Sequence, residues 1–312
     1  MPVRLRFGLA LLAAFALGAP AAHARTLEAV RASGTVRCGA EPRSGFADEK
    51  GGMALDLCRA FALAALGPAG KVAFHLYAAP RDFAPVRAGQ DDVAFLTADA
   101  IAEQRLAPRI VPGPVAFIDP VTLLFPAGAS AHSLRDLQAK VICVLIGDPG
   151  QRALQQAMEA AGIGFAPLPF QEAGEMQDGF RAGRCAAEAG RATDLAAARR
   201  PGDMLLDPPL ALEPVFAATP NEDARWTALV AWVLDALILK DTPASGWHAQ
   251  GAAALPVTSA IPGLRPDWRA ALASALGSYG AILQHNVVGP LGLTSWPNAP
   301  WPAGLLLPPA VR

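Results

Sequence analysis

Short apolar runs alternate with longer amphipathic segments along most of the chain. In the first third, the runs at residues 35–38, 72–77 and 93–96 predict strands, and the segment 53–66 predicts a helix that Gly67 and Pro68 end. A second helix, placed between the last two strands, must be short, because Pro85 is tolerated only in a first turn. This β-α-β-α-β order predicts an α/β fold with a mostly parallel sheet that carries helices on its faces.

The middle of the chain repeats this plan. The strands predicted there lie at residues 141–146, 165–170, 185–187 and 204–206. The helices predicted between them lie at residues 133–139, with Ser133 as the cap, and at 150–161, 172–183 and 193–200. The helix end Arg87-Ala88-Gly89 in the first part is echoed by Arg181-Ala182-Gly183, and each copy runs into a strand. We therefore expect two α/β lobes.

The last third is expected to return to the first lobe. A helix predicted over residues 223–240 should pack there, and a second helix is predicted over residues 268–287. Two crossovers, near residues 117–122 and 213–217, would form a hinge. Lobe 1 would then comprise residues 25–120 and 216–312, including the C-terminal helices and tail, and lobe 2 would comprise residues 121–215.

The N-terminus has the order of a secretory signal. Arg4 and Arg6 precede an apolar run over residues 7–19, and Ala22-His23-Ala24 supplies the small residues of a cleavage site. The apolar run is shorter than the roughly 20 residues that a membrane-spanning helix needs. We expect cleavage after Ala24, a signal peptide of residues 1–24 and a periplasmic mature chain; an uncleaved anchor is the alternative interpretation.

Composition and motifs exclude several classes of function. The formal net charge is −1, and only 17% of the residues are charged, so nothing favours a nucleic-acid partner. Four of the histidines, His75, His132, His248 and His285, are scattered without the spacing of metal ligands. No Gly-x-Ser-x-Gly motif occurs. We therefore predict neither a metal nor a cofactor, and no catalytic site.

Export makes the cysteines informative. Four cysteines in an oxidising compartment favour two disulfides, and no Cys-x-x-Cys spacing points to a metal. The sequence alone allows three pairings, and four free thiols are the alternative. The positions nevertheless fall into two local sets, Cys38 with Cys58 and Cys143 with Cys185. If each lobe closes its own loop, these are the two bonds that form.

With these cysteine contexts, the chain resembles the periplasmic solute-binding proteins of amino-acid ABC transporters. The resemblance covers almost all of the mature chain and is closest to the general L-amino-acid-binding branch of the family 3 type. It rests on the lobe order, the cysteine contexts, Tyr279-Gly280, Asn286 and the terminal run Pro308-Pro309-Ala310-Val311-Arg312. It implies a two-lobed type II fold, the cysteine pairing of the two local sets, and ligand binding between the lobes.

The chain departs from the family at the ligand site. Where the family offers an arginine for the ligand's α-carboxylate, this chain has Leu96, and its turn Gly147-Asp148-Pro149 replaces the small hydroxyl residues usual there. Asp148 would repel a carboxylate. The family's ammonium-binding aspartate falls on Arg191, or on Asp194 in an alternative register.

These changes suggest a site of reversed polarity. Asp99 and Arg191 would grip a ligand whose charges are arranged in the opposite way, or would pair with each other across the closed cleft. Phe46 would stack on the ligand, with packing on the lobe surface as the alternative. Thr97 and Ala98 would offer backbone groups from the cleft loop.

The sequence thus predicts a monomeric solute-binding subunit of an ABC importer with atypical cleft residues. It would carry an amino acid or a related small polar ligand to a permease in the inner membrane, and it would not be an enzyme. A degenerate binding protein that docks a periplasmic enzyme or sensor without transport is the alternative. An enzyme on the same fold, such as a dehydratase of small cyclic acids, would need a catalytic carboxylate in the cleft.

Overall fold

The computed structural model of the chain describes residues 26–77, 83–103, 106, 109–242 and 264–307. Its helices and strands follow one another in this order: α1 (Thr26–Ser33), β1 (Thr35–Ala40), α2 (Gly52–Leu66), β2 (Lys71–Leu76), α3 (Ala84–Arg87), β3 (Val93–Thr97), α4 (Ala98–Glu103), β4 (Ile110–Val111), β5 (Val115–Phe125), a 3₁₀ helix (Leu134–Leu137), β6 (Val141–Leu145), α5 (Pro149–Ala161), β7 (Ala166–Phe170), α6 (Ala173–Arg181), β8 (Ala187–Arg191), α7 (Ala192–Ala198), β9 (Met204–Leu205), β10 (Ala211–Pro220), α8 (Ala224–Asp241), α9 (Trp268–Ala275), α10 (Tyr279–Leu283), a π-helical segment (Gln284–Val288) and α11 (Gly289–Leu291). The predicted α/β fold is confirmed.

One ten-stranded sheet runs through the structure, with a central path in the order β2-β1-β3-β10-β5-β8-β6-β7. The pairs of β1 with β2 and β3 are parallel, as are the pairs of β6 with β7 and β8. We call β1–β3 with their helices the first half, and β6–β8 with theirs the second half. Each half therefore contains the parallel three-stranded unit that the repeated sequence plan predicts.

Two long strands join the halves. β5 and β10 pair antiparallel with each other, and β10 also pairs with β3 whereas β5 pairs with β8. The predicted crossovers at residues 117–122 and 213–217 lie in these strands, with Phe117 opposite Val215. The chain thus passes between the halves twice, side by side.

Separate cores support the two halves. In the first half, α2 packs on β1 and β2 and also contacts α8, which returns from the second half as predicted. Its largest buried side chains include Phe61, Trp226, Trp268 and Tyr279. In the second half, apolar side chains cover both faces of the sheet, one cluster around Leu154 and the other around Phe180. Burial of these apolar surfaces stabilises each unit.

The structure contains both expected disulfides. Cys38 bonds to Cys58 in the first half, and Cys143 bonds to Cys185 in the second. The first bond ties β1 to α2, and the second ties β6 to the loop that precedes β8. The signal peptide, the terminal run over residues 308–312 and His248 lie outside the described residues.

Three predicted elements differ from the structure. The strand predicted at residues 185–187 begins at Ala187 and continues to Arg191. The helix predicted over residues 268–287 is broken, because Gly277 has a positive φ of 79° and Ser278 caps a new helix through a hydrogen bond from the Ala281 N–H. The helix predicted from Ser133 is one 3₁₀ segment, which Ser133 and Asp136 cap reciprocally.

Candidate ligand-binding cleft

The carboxyl ends of the parallel strands converge where the two halves meet. β1 runs into the loop that carries Arg43 and Ser44, and β3 runs directly into α4. From the second half, β6 ends at the turn Gly147-Asp148, and β8 ends at Arg191. Loops at the carboxyl ends of parallel strands are the usual ligand-binding edge of an α/β sheet. The middle parts of β5 and β10 form the floor between the halves.

A network of buried charges occupies this junction. The Arg43 guanidinium donates to Asp119 Oδ2 at 2.7 Å and to Glu213 Oε2 at 2.8 Å. Arg191 donates to the same Glu213 oxygen at 2.7 Å, and to Asp148 Oδ2 at 3.3 Å. Glu213, on β10, therefore bridges one guanidinium from each half.

The network keeps Glu213 charged. Burial by itself would raise the pKa of this carboxyl, but Arg43 and Arg191 outweigh burial and lower the pKa to about 2. Burial would likewise lower the pKa of Arg191, and the carboxylates of Glu213 and Asp148 raise it instead. Both groups are therefore ionised at physiological pH, so the bridge joins opposite charges there.

Further polar contacts join the halves directly. The backbone N–H and the hydroxyl of Ser44 donate to Asp194 Oδ1 at 3.0 and 2.8 Å. Thr193 Oγ1 donates to Asp119 Oδ2 at 2.6 Å, so Asp119 links Arg43 to the start of α7. At the outer edge, Arg152 on α5 forms an ion pair with Asp99 on α4.

Two cavities flank the charge network. The α4–α5 cavity, of about 280 Å³, is lined by Thr97, Ala98, Asp99, Arg152, Gln156 and Glu213 among others. The α6–α7 cavity, of about 390 Å³, is lined by Ser44, Asp148, Gln177, Glu188, Arg191 and Asp194 among others. A larger cavity of about 630 Å³ lies beside Asp91 and Asp92, away from this junction. The two flanking cavities combine walls from both halves with charged residues of the network. Another cavity, of about 470 Å³, lies between the start of α7 and the C-terminal segment around Leu293 and contains none of the network's charges.

Two of the predicted site residues do not face the cleft. Phe46 is 1% exposed, and its ring stacks on Phe117 at 4.8 Å between ring centroids, so it packs in the core of the first half rather than on the lobe surface. Leu96 is fully buried in a cluster with Tyr77, Phe83 and Ala94. Every residue of β3 is buried, so an apolar side chain at this position belongs to the core beneath the cleft.

The remaining predicted residues surround the junction. Thr97 Oγ1 accepts from the Ala100 N–H and caps α4, while the Thr97 N–H donates to Glu41 Oε2. The start of α4, with Ala98 and Asp99, lines the α4–α5 cavity.

On the opposite wall, the Gly147 N–H donates to Gln151 Oε1. Asp148 caps α5 by accepting from the Gly150 N–H at 2.7 Å, and burial raises the pKa of Asp148.

The structure does not pair Asp99 with Arg191. Arg191 contacts Glu213 and Asp148, whereas Asp99 contacts Arg152. The alternative-register residue, Asp194, faces Ser44 of the first half. Asp99 and Arg191 thus lie on the two sides of the cleft, but each forms its ion pairs with other residues.

Sequence reasoning missed Arg43, Asp119 and Glu213, which hold the junction together, and also Glu188, which lines the α6–α7 cavity. A signal for three of them was present: Arg43 lies in the turn-rich segment expected at the cleft, and Asp119 and Glu213 are charges within otherwise apolar crossover strands. Among the described residues, no group of three or more histidine, cysteine, aspartate or glutamate side chains is placed to hold a metal ion. Within the same ranges, no helix combines the length and apolarity that crossing a membrane requires.

Comparisons with known proteins agree with the predicted resemblance. The chain is 27% identical to the general L-amino acid-binding periplasmic protein AapJ of Rhizobium johnstonii, over 96% of both chains. It is 28% identical to the glutamate/glutamine/aspartate/asparagine-binding protein BztA of Rhodobacter capsulatus, again over 96% of both. No family model matches the chain.

A solved structure resembles the whole described architecture. It is a periplasmic binding protein of an ABC transporter from Brucella ovis with glutathione bound, and it superimposes with a TM-score of 0.74 at 25% identity. The alignment covers 93% of this chain and 100% of that one. The predicted resemblance to periplasmic solute-binding proteins of amino-acid ABC transporters, and the type II fold, are therefore confirmed.

Proposed function

We propose that the chain is the periplasmic solute-binding subunit of an ABC importer, and that it binds an amino acid or a related small polar ligand between its two halves. The observation that carries this proposal is the junction itself. Two cavities, each with walls from both halves, lie at the carboxyl ends of the parallel strands, around a fixed network of charges. Concave sites with a few convergent polar groups are typical of small-molecule binding.

The relatives support the same function. AapJ is named as a general L-amino acid-binding protein, and BztA is named for glutamate, glutamine, aspartate and asparagine. The structural relative holds glutathione. They match this chain over nearly its full length, and they do not favour the alternative of a docking partner without transport. Because these relatives are binding proteins, binding without turnover is the function that we propose here.

The proposed mechanism is closure of the halves around the ligand. We assign residues 25–120 and 216–312 to lobe 1 and residues 121–215 to lobe 2, so that β5 and β10 act as the hinge. Ser44, Asp194, Asp99 and Arg152 face each other across the junction and would exchange their present partners for ligand groups. The closed form of the monomer would then engage an inner-membrane permease, after export and cleavage behind Ala24.

Thermal-shift measurements with a ligand panel test this proposal. The panel contains neutral, acidic and basic amino acids and glutathione, and the variant Ala98→Trp places an indole in the α4–α5 cavity. The control is Ala102→Trp, which also replaces an exposed alanine of α4 and does not line this cavity. We expect at least one compound to stabilise the wild type and Ala102→Trp, and to lose its effect on Ala98→Trp.

One result would contradict the proposal, and another would change the site that it assigns. If no compound raises the melting temperature of the wild type, small polar ligands are not what the chain binds. If a compound stabilises Ala98→Trp as strongly as the wild type, the α4–α5 cavity is not its site, and the α6–α7 cavity is the remaining candidate at the junction.

A further inference from the structure

The α6–α7 cavity contains a carboxylate that the charge network does not use. Glu188 lies on β8, opposite Leu124 and Cys143 in the two neighbouring strands. These neighbours belong to the apolar cluster of Met176, Phe180 and Leu195, which packs beneath α6 and α7. Because side chains of paired residues share one face of a sheet, the Glu188 side chain lies on the face that the cavity occupies.

Glu188 is buried without a partner among the described residues. The residue is 2% exposed, and no hydrogen bond or ion pair joins its carboxylate to another described side chain or backbone group. The Arg181 guanidinium, which also lines the cavity, bonds Asp178 and Gln177 instead. Burial raises the pKa of Glu188 to about 7 despite the attraction of Arg181. A buried carboxylate without a hydrogen-bond partner is costly, and such groups are normally paired.

The other charges of the cavity are already matched. Asp148 accepts from Arg191, Arg191 is bridged by Glu213, and Asp194 accepts two hydrogen bonds from Ser44. Glu188 is therefore the carboxylate here with unused hydrogen-bonding capacity. An anion entering the cavity would meet it unfavourably, and one carboxylate does not suffice for a metal ion, which needs several ligands.

We propose that the α6–α7 cavity binds the ammonium or guanidinium group of an organic cation, with Glu188 as its counter-ion. The cavity's volume of about 390 Å³ lies within the range of small-molecule sites. Ser44 and Asp194, which line the cavity, lie at the junction of the two halves, so the rest of the ligand would reach the cleft. This inference rests on the proposed function and names its ligand class as cationic.

Titration calorimetry at low ionic strength tests the inference with three probes: agmatine, L-arginine and L-glutamate. Agmatine carries an ammonium and a guanidinium but no carboxylate, so it isolates the cationic contact. The variant Glu188→Gln removes the charge and keeps the side-chain shape. The matched control, Glu175→Gln, makes the same change at an exposed position of α6.

We expect agmatine or L-arginine to bind the wild type more tightly than L-glutamate. Glu188→Gln should weaken that binding about 10- to 100-fold, the value of a charge-assisted hydrogen bond, while Glu175→Gln leaves it unchanged. Wild-type binding of the cation should also weaken from pH 8 to pH 5.5, as Glu188 becomes protonated. The pH series needs no variant, so it remains decisive if Glu188→Gln fails to fold.

The possible failures can be told apart. If neither cation binds but L-glutamate or another compound of the thermal-shift panel does, the cationic site is wrong and the proposed function stands. Equal binding of a cation by the wild type and Glu188→Gln, or no weakening at low pH, also overturns the site. If no compound of either experiment binds, the proposed function fails as well.

Discussion

Replacing Glu213 by glutamine tests whether the bridge between the halves stabilises the fold. Glutamine keeps the size of the side chain but removes the charge that Arg43 and Arg191 share. Both guanidiniums keep one other carboxylate, Asp119 or Asp148. The variant should therefore fold, but with a lower free energy of unfolding.

The magnitude follows from the pKa of Glu213. The carboxyl has a pKa of about 2 in the folded chain, compared with its ordinary value of 4.5, and each unit of difference corresponds to about 1.4 kcal/mol. The bridge thus contributes about 3 kcal/mol, which agrees with the cost of breaking a buried ion pair. For a chain of this size the melting temperature should fall by about 5–10 °C.

Chemical denaturation and thermal unfolding at pH 7 measure the effect, with Glu175→Gln as the exposed control. Because the folded pKa is lower than the unfolded one, the stabilisation is complete above about pH 4.5 and is lost as the pH falls toward 2. The difference between wild type and variant should shrink over that interval. A difference of less than about 0.5 kcal/mol at pH 7, as for an ordinary surface change, would refute the bridging role.

Three further changes test other parts of the structure. Glu188→Gln should be more stable than the wild type by up to about 3 kcal/mol at pH 8, and equally stable at pH 4.5. The reason is that the folded pKa of Glu188, about 7, is higher than the unfolded one, so wild-type stability falls as the pH rises from 4.5 to 8; thermal unfolding at both pH values checks this. The double variant Cys143→Ser/Cys185→Ser should lose about 4 kcal/mol, since the bond closes residues 42 apart; the denaturation midpoint measures the loss. Asn298→Ala should reduce the free energy of unfolding by about 2–4 kcal/mol, because the Asn298 amide forms hydrogen bonds with both the N–H and the C=O of Ile118; a lower melting temperature would show this loss.

The fold was largely predictable because its signals are local. Short apolar runs bounded by turns gave the parallel strands, and the repeated helix-to-strand unit at residues 87–97 and 181–191 indicated two similar halves. The breaks that were missed depend on single residues. Gly277 interrupts a helical pattern through its backbone conformation, which apolar periodicity does not reveal.

The site was predictable only in part, because its contacts join residues that are distant along the chain. The segments that reach the cleft were found, and Arg191, Asp148 and Asp99 do lie there. Their partners are set by the packing of the two halves, so that Arg43 meets a carboxylate 170 residues away. Arg43 is the buried guanidinium that the first half places at the junction.

Native mass spectrometry of the mature chain tests the central claim most directly. The protein is measured first as isolated and then after mixing with the amino acids, glutathione and agmatine, beside the variant Ala98→Trp. We predict a monomer that carries one small molecule in at least one of these samples; the variant should lose an adduct held in the α4–α5 cavity and keep one held in the α6–α7 cavity. A wild-type chain that shows only its unliganded mass in every sample would contradict the assignment as a solute-binding protein.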